Sequence, residues 1–314
     1  MSTLTKIQNL VSLLAQIWIV VATACTMDSL SSQCVGFVGT GKISSCLVRG
    51  FAGAGAPSRP RRILVSPRNE DKARALATEF PGLVEIARDN AQVVSESDVV
   101  FIGLLPAIAR SELPTLPFGG AEGGKLVVSM MAAVDIEEMK SLTGVSADRI
   151  VRTVPLPSSA RREGPILVHP KLPRFDELLS VVGTPVGCAT EEEMKPLICL
   201  TGHISSFFEL MRTTQAFMES EGVDQATARL YVSSFYSSLA RATELSGESL
   251  ADMAVEARTP GGINEQCMRI LGAPPSQHFS MQQQSLAAIL RRLRGQEVYV
   301  PLSASAPAES EGER

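Results

Sequence analysis

The chain has 314 residues, 45% of them apolar and 20% charged, with a formal net charge of −4. That length gives room for two domains with cores of their own, and the composition excludes a disordered chain. Lysine and arginine are nowhere concentrated beside aromatics, which argues against nucleic acid as a partner and for a small molecule.

Residues 1–33 read as a leader or disordered segment. Lys6 precedes a mostly apolar run from Leu10 to Cys25, broken by Ser12, Gln16 and Thr23. The run is short for a membrane span, which needs about 20 apolar residues. Followed by Ala22 and Ala24, it resembles a signal peptide's apolar region. A targeting leader, an anchor and a segment lost from the mature protein are the three readings of residues 1–26. The folded domains are expected in the cytoplasm without stable membrane association. Six cysteines (Cys25, Cys34, Cys46, Cys188, Cys199, Cys267) form no CxxC pair, and His169, His203 and His278 lie far apart in sequence. The expectation is buried free thiols and no metal site.

Cys34–Val38 (CVGFV) predicts a first parallel strand. Gly39, Thr40 and Gly41 follow at once, and Lys42, Ile43 and Ser44 open a helix that sets Ile43, Cys46, Leu47 and Phe51 on one face and ends at Gly53 and Gly55. Strand, glycine turn and helix form the context of a dinucleotide fingerprint. Gly39 allows the tight turn, Gly41 lets a pyrophosphate approach the backbone, and the helix start offers free N–H groups. Ser44 holds the third small position. The second strand, Ile63–Val65, ends in Ser66 and Arg68, where a NAD site usually has an acidic residue. A hydroxyl and a guanidinium suit a 2′-phosphate, so NADPH is the expected cofactor, with NADH the alternative. A solvated surface role is the other reading of Arg68.

The alternation continues. A helix is expected at Asp71–Phe80, a strand at Val84–Ala87, and a buried strand at Asp98–Leu105 stopped by Pro106. Lys125–Met131 and Arg149–Pro157 read as strands. Ile166–Pro170 and Phe175–Val186 add a last strand and helix. The sum is an α/β fold, a doubly wound parallel sheet of Rossmann type over residues 34–189. Residues 190–296 carry helical periodicity alone: Ile204, Phe207, Phe208, Met211 and Met218, then Tyr231, Phe235, Leu239 and Ala242, then Leu286, Ile289, Leu290 and Leu293. Such a helical unit has a thin core by itself, so an obligate dimer is expected. Residues 297–314 read as a disordered acidic tail. Between two helices, Pro260, Gly261 and Gly262 form a loop whose N–H groups suit a carboxylate; a plain helix connection explains the spacing equally well.

These pieces resemble the pyrroline-5-carboxylate reductase family. Gly36–Gly41 opens the Rossmann half. Lys125–Ile136 is similar to the family's VVSxAAGVxI segment, Val151–Pro155 to its VVRxMPN strand end, and Thr259–Gly262 to its SPGG loop. The resemblance implies NADPH-dependent reduction of a cyclic imine, above all 1-pyrroline-5-carboxylate to L-proline in proline biosynthesis. It also implies an active site where the Rossmann and helical domains meet, in a homodimer or larger homo-oligomer. By implication Gly39, Thr40, Gly41, Lys42, Ile43 and Ser44 hold the pyrophosphate, and Ser66, Arg68, Leu104, Leu105 and Pro106 complete the cofactor site. Thr259, Pro260, Gly261, Gly262 and Ile263 hold the substrate.

The departures from the family cluster around the substrate. Its AVKP lysine is absent from Gly103–Pro106, and its PNTP asparagine aligns with Leu156. Its SPGGTT threonine aligns with Asn264, and its SGSGPAY segment with Thr201–Phe207, which brings in His203. Asn264 and His203 are the candidate catalytic residues. A larger or differently substituted imine is a second substrate reading. Two other functions compete: an oxidoreductase of the same architecture acting on a hydroxy acid, and an NADPH-binding dimer without turnover. The first wants a lysine near the nicotinamide, yet Lys195 is the only lysine of residues 190–296 and stands early.

Overall fold

The computed structural model describes residues 29–120 and 124–298. The leader reading of residues 1–26 and nearly all of the acidic tail fall outside them. The chain divides into two compact units between Met194 and Lys195.

The first unit is built on one eight-stranded sheet. Its strands are β1 (Cys34–Val38), β2 (Arg62–Val65), β3 (Val84–Ile86), β4 (Val99–Ile102), β5 (Leu126–Ser129), β6 (Ile150–Val154), β7 (Pro165–His169) and β8 (Thr184–Gly187), in the order β3-β2-β1-β4-β5-β6-β7-β8. Helices cover it: α1 (Lys42–Ala52), α2 (Glu70–Glu79), α3 (Asn90–Glu96), α4 (Pro106–Glu112), α5 (Ile136–Thr143) and α6 (Pro173–Ser180). β1 and β4 are buried at every position, as continuous apolar strands covered on both faces must be. One core gathers Phe37, Phe51, Phe101 and Phe175, and a second, on the other face, gathers Ile102, Phe118 and Met139. Phe37 and Phe101 stack with ring centroids 4.9 Å apart.

Two expectations are corrected. The sheet is mixed, because β7 runs antiparallel to β6. Only a short 3₁₀ turn, Pro157–Arg161, joins them, and a parallel return needs a crossover of about a dozen residues or more. The helix expected over Phe175–Val186 stops at Ser180, and Thr184–Gly187 is an eighth strand, parallel to β7. It escapes a hydrophobic pattern because it is an edge strand without an apolar run. Close packing of α1 needs Gly50: a Cβ there would lie 2.2 Å from the Ser159 carbonyl oxygen.

α7 (Glu191–Cys199) crosses the division between the units. The second unit contains α8 (Ile204–Ser220), α9 (Gln225–Leu245), α10 (Leu250–Glu256), α11 (Ile263–Gly272) and α12 (His278–Leu293). Among described residues from 204 onward, only Ala228 and Val232 are buried. Phe208, Phe217, Leu230, Tyr231, Leu239 and Leu245 are all exposed. Among described residues, no helix is long and apolar enough to cross a membrane. The described cysteines are free; Cys34, Cys188 and Cys199 are buried as expected, whereas Cys267 is exposed.

Candidate functional site

The sheet order reverses direction between β1 and β4, the topological switch point at which open α/β sheets bind ligands beyond their strand ends. Gly39 leaves β1 there with φ at +96°, a left-handed backbone that favours glycine. A Cβ on Gly39 would lie 2.6 Å from the Gly103 carbonyl oxygen, so β1 and β4 meet too closely for any side chain. The turn is held from below. Gly39 N–H donates to Ser66 Oγ at 3.0 Å, Thr40 Oγ1 donates to the Ser66 carbonyl at 2.7 Å, and Ser44 Oγ donates to the Gly39 carbonyl at 2.6 Å.

Above the turn the site is open. Gly41 is the extended residue before α1, and no side chain caps it. A Cβ on Gly41 would meet nothing within 4 Å. The first-turn N–H groups of α1 therefore point outward without an intrahelical partner, which is the donor set a pyrophosphate takes. This is the observation that fits a dinucleotide to these residues.

Lys42 is exposed, Ile43 half-buried and Ser44 buried, so the three play different parts in one turn. Leu104 packs beside Gly39, Leu105 is 73% exposed, and Pro106 starts α4. Ser66 is buried, and its hydroxyl is occupied by the turn. That role was not legible in the sequence, where Ser66 reads as a phosphate contact. Arg68 is exposed and carries no ion pair to a described residue, so its guanidinium is free to meet an anion.

In the second unit, the Thr259–Gly262 loop turns with Gly261 at φ +73° and enters α11 through Gly262. Gly262 N–H donates to the Thr259 carbonyl at 2.9 Å, and Gly261 N–H donates to Glu265 Oε2 at 2.7 Å. Asn264 folds back, its Nδ2 donating to the Ala257 carbonyl at 2.9 Å. Ile263 is 82% exposed. A cavity of about 680 Å³ opens against this loop, bordered by Arg258, Gly261, Gly262, Glu265 and Arg269. His203 lies elsewhere. Its Nε2 sits 2.9 Å from Ser285 Oγ, in a mostly apolar cavity of about 780 Å³ beside Phe207, His278 and Ile289. Neither Asn264 nor any residue of the 259–263 loop borders that cavity. Within this unit the two candidate catalytic residues are not brought together. Burial pushes the thiols of Cys34, Cys188 and Cys199 up, so none of them supplies a thiolate nucleophile.

A glycine turn at the switch point of a mostly parallel sheet, followed by a separate helical unit, defines an NAD(P)-dependent oxidoreductase of Rossmann type. Residues 34–133 match the family model described as NADP oxidoreductase, coenzyme F420-dependent. The chain is 25% identical over 250 residues to the pyrroline-5-carboxylate reductase of Corynebacterium melassecola, covering 76% of this chain and 89% of that protein. It is 30% identical over 175 residues to human pyrroline-5-carboxylate reductase 2, covering 54% of this chain and 53% of that one. The crystal structure of the Plasmodium falciparum pyrroline carboxylate reductase with NADP bound shares the fold. Its TM-score is 0.70 at 15% identity, over 85% of this chain and 99% of that chain. The Coxiella burnetii pyrroline-5-carboxylate reductase gives 0.69 at 21% identity, over 86% and 100%. Over most of its length the chain is thus similar to pyrroline-5-carboxylate reductases, at low identity.

Proposed function

We propose that this protein reduces a cyclic imine with NADPH, 1-pyrroline-5-carboxylate being the compound its relatives' names supply. The observation that carries the cofactor half is the uncapped start of α1 behind Gly39–Thr40–Gly41. When bound, NADPH supplies a hydride. The chain's own work is binding and orientation: the α1 N–H groups and Lys42 take the pyrophosphate, and Arg68 takes the 2′-phosphate. A protonated imine is already electrophilic at carbon, so no nucleophile is needed, and the substrate is held by the loop around Gly261. Consumption of NADPH absorbance on adding 1-pyrroline-5-carboxylate or 1-pyrroline tests this. A protein that binds NADPH yet consumes none with any of several cyclic imines is instead a binding protein.

Cofactor choice gives a sharper test. Arg68→Ala is expected to weaken NADPH about tenfold, the scale of one charge-assisted hydrogen bond, and NADH less than about twofold. Equal losses in the two titrations remove Arg68 from the 2′-phosphate.

The helical unit supports an obligate homodimer. Among its described residues beyond 203 the unit buries only Ala228 and Val232, too little for a core to fold around. Covering exposed Phe and Leu side chains contributes roughly 1.5–3 kcal/mol each. Sedimentation equilibrium over a dilution series is expected to show no folded monomer, with loss of helical circular dichroism tracking dissociation. A monomer retaining its helices contradicts this.

A further inference from the structure

Two buried hydroxyls lie under the glycine turn, and both of their protons are given within the protein. Thr40 and Ser66 are 3% and 1% exposed. Gly39 N–H donates to Ser66 Oγ at 3.0 Å, and Thr40 Oγ1 donates to the Ser66 carbonyl at 2.7 Å. The two hydroxyl oxygens are 3.2 Å apart. Because the Thr40 proton goes to the carbonyl, the Ser66 proton is the one that lies between the oxygens. The chain of donors is then complete: Gly39 N–H to Ser66 Oγ, Ser66 Oγ–H to Thr40 Oγ1, Thr40 Oγ1–H to the Ser66 carbonyl. Hydrogen bonds linked in this way strengthen one another where water is excluded. Ser66 N–H donates to the Phe37 carbonyl at 3.1 Å, so β1, its turn and the end of β2 are clasped together. Each end of the clasp leads to groups suited to an anion. Thr40 stands directly before Gly41 and the open start of α1, and Ser66 stands two residues before the exposed Arg68.

We propose that Thr40 and Ser66 are positioning residues for cofactor choice: their clasp fixes the separation between the α1 start, which takes the pyrophosphate, and Arg68, which takes the 2′-phosphate. The inference rests on the NADPH reading above and adds to it the device that makes the two anion sites act together. NADPH engages both sites, whereas NADH lacks the 2′-phosphate and uses the α1 start alone. Two sites held at a set separation bind a doubly anchored ligand without first ordering the backbone between them. Loosening the clasp therefore costs NADPH more than NADH. The hydroxyls act through the backbone and donate to neither phosphate.

Calorimetric titration of the full-length chain with NADPH and with NADH tests this. Thr40→Val keeps the side-chain shape and removes the hydroxyl; it is expected to weaken NADPH about tenfold and NADH about threefold. Thr40→Ser restores the donor and is expected to keep the native ratio of the two affinities. In an Arg68→Ala background, Thr40→Val is expected to weaken both cofactors by the same factor, because the second anchor is gone. Should Thr40→Val fail to fold, Ser66→Ala carries the same titrations, with the same unequal losses expected. Equal losses with Arg68 present overturn the proposal and leave NADPH binding standing. A native protein that binds neither cofactor overturns both. Hydrogen exchange of the cofactor-free protein separates positioning from direct contact with the cofactor. The Gly39 amide is expected to exchange about tenfold faster in Thr40→Val and in Ser66→Ala than in the native chain. An unchanged rate in both variants overturns the proposal.

Discussion

Gly39→Ala is expected to reduce NADPH affinity about 100-fold or more and to cost ~1–3 kcal/mol of stability, the range for a side chain forced into a left-handed backbone. Two independent features set that scale. The φ of +96° disfavours any L side chain, and the added Cβ would lie 2.6 Å from the Gly103 carbonyl oxygen, a backbone atom that cannot turn aside. Relief requires the turn to move away from β4. Moving it disturbs the Gly39–Ser66 and Ser44–Gly39 hydrogen bonds that aim the start of α1. Binding is therefore hit harder than folding. Gly41→Ala is the contrast: its Cβ meets open space in the free protein, so stability should hold while a pyrophosphate loses room. Paired NADPH titrations and denaturant melts of the two variants check this. Equal NADPH affinity in Gly39→Ala and the native protein removes the turn from the cofactor site.

The second large effect concerns Arg152 and Glu191. Arg152 Nη1 lies 3.0 Å from Glu191 Oε1, with their side chains 8% and 27% exposed. Arg152 Nη2 also donates to the Ala132 carbonyl at 2.8 Å, and Ile136 N–H donates to Glu191 Oε1 at 3.1 Å. One ion pair thus ties β6, the β5–α5 loop and the start of α7 together. Glu191→Ala leaves a buried guanidinium without its counter-charge, expected to cost about 3 kcal/mol, the lower end for a broken buried pair because Glu191 is partly exposed. Asp89→Ala, which breaks the exposed Arg88–Asp89 pair, loses little from the ion pair, because solvent screens it. It does remove the α3 cap that Asp89 gives to Gln92 N–H, so Arg88→Ala is the cleaner comparison. Urea unfolding of Glu191→Ala and Arg88→Ala tests the contrast, and similar midpoints would show that the buried pair holds nothing in place.

Much of the first unit was legible because its strands are continuous β-branched runs and its turn needs glycine where glycine stands. Cys34–Val38 forms a strand over the expected span, and Gly53 ends α1. What the sequence hid depends on distance in space. The direction of β7 follows from too short a connection, and β8 carries no apolar run. Ser66 reads as a ligand contact until its hydroxyl is seen under Gly39. The loop at Gly261 reads as an empty carboxylate cradle until Glu265 is seen in it. The helical period of the second unit is plain in Phe207, Phe208, Tyr231 and Phe235, yet these side chains stay exposed, and periodicity alone does not say what an apolar face packs against.

Equilibrium titration of the purified full-length chain with NADPH, followed by calorimetry, addresses the central claim most directly. Saturable binding of one NADPH per chain at about 10 µM or tighter, lost in Gly39→Ala, is the expected result. No heat of binding from native, helix-retaining protein up to millimolar NADPH would contradict the assignment of the β1–α1 turn as a dinucleotide site.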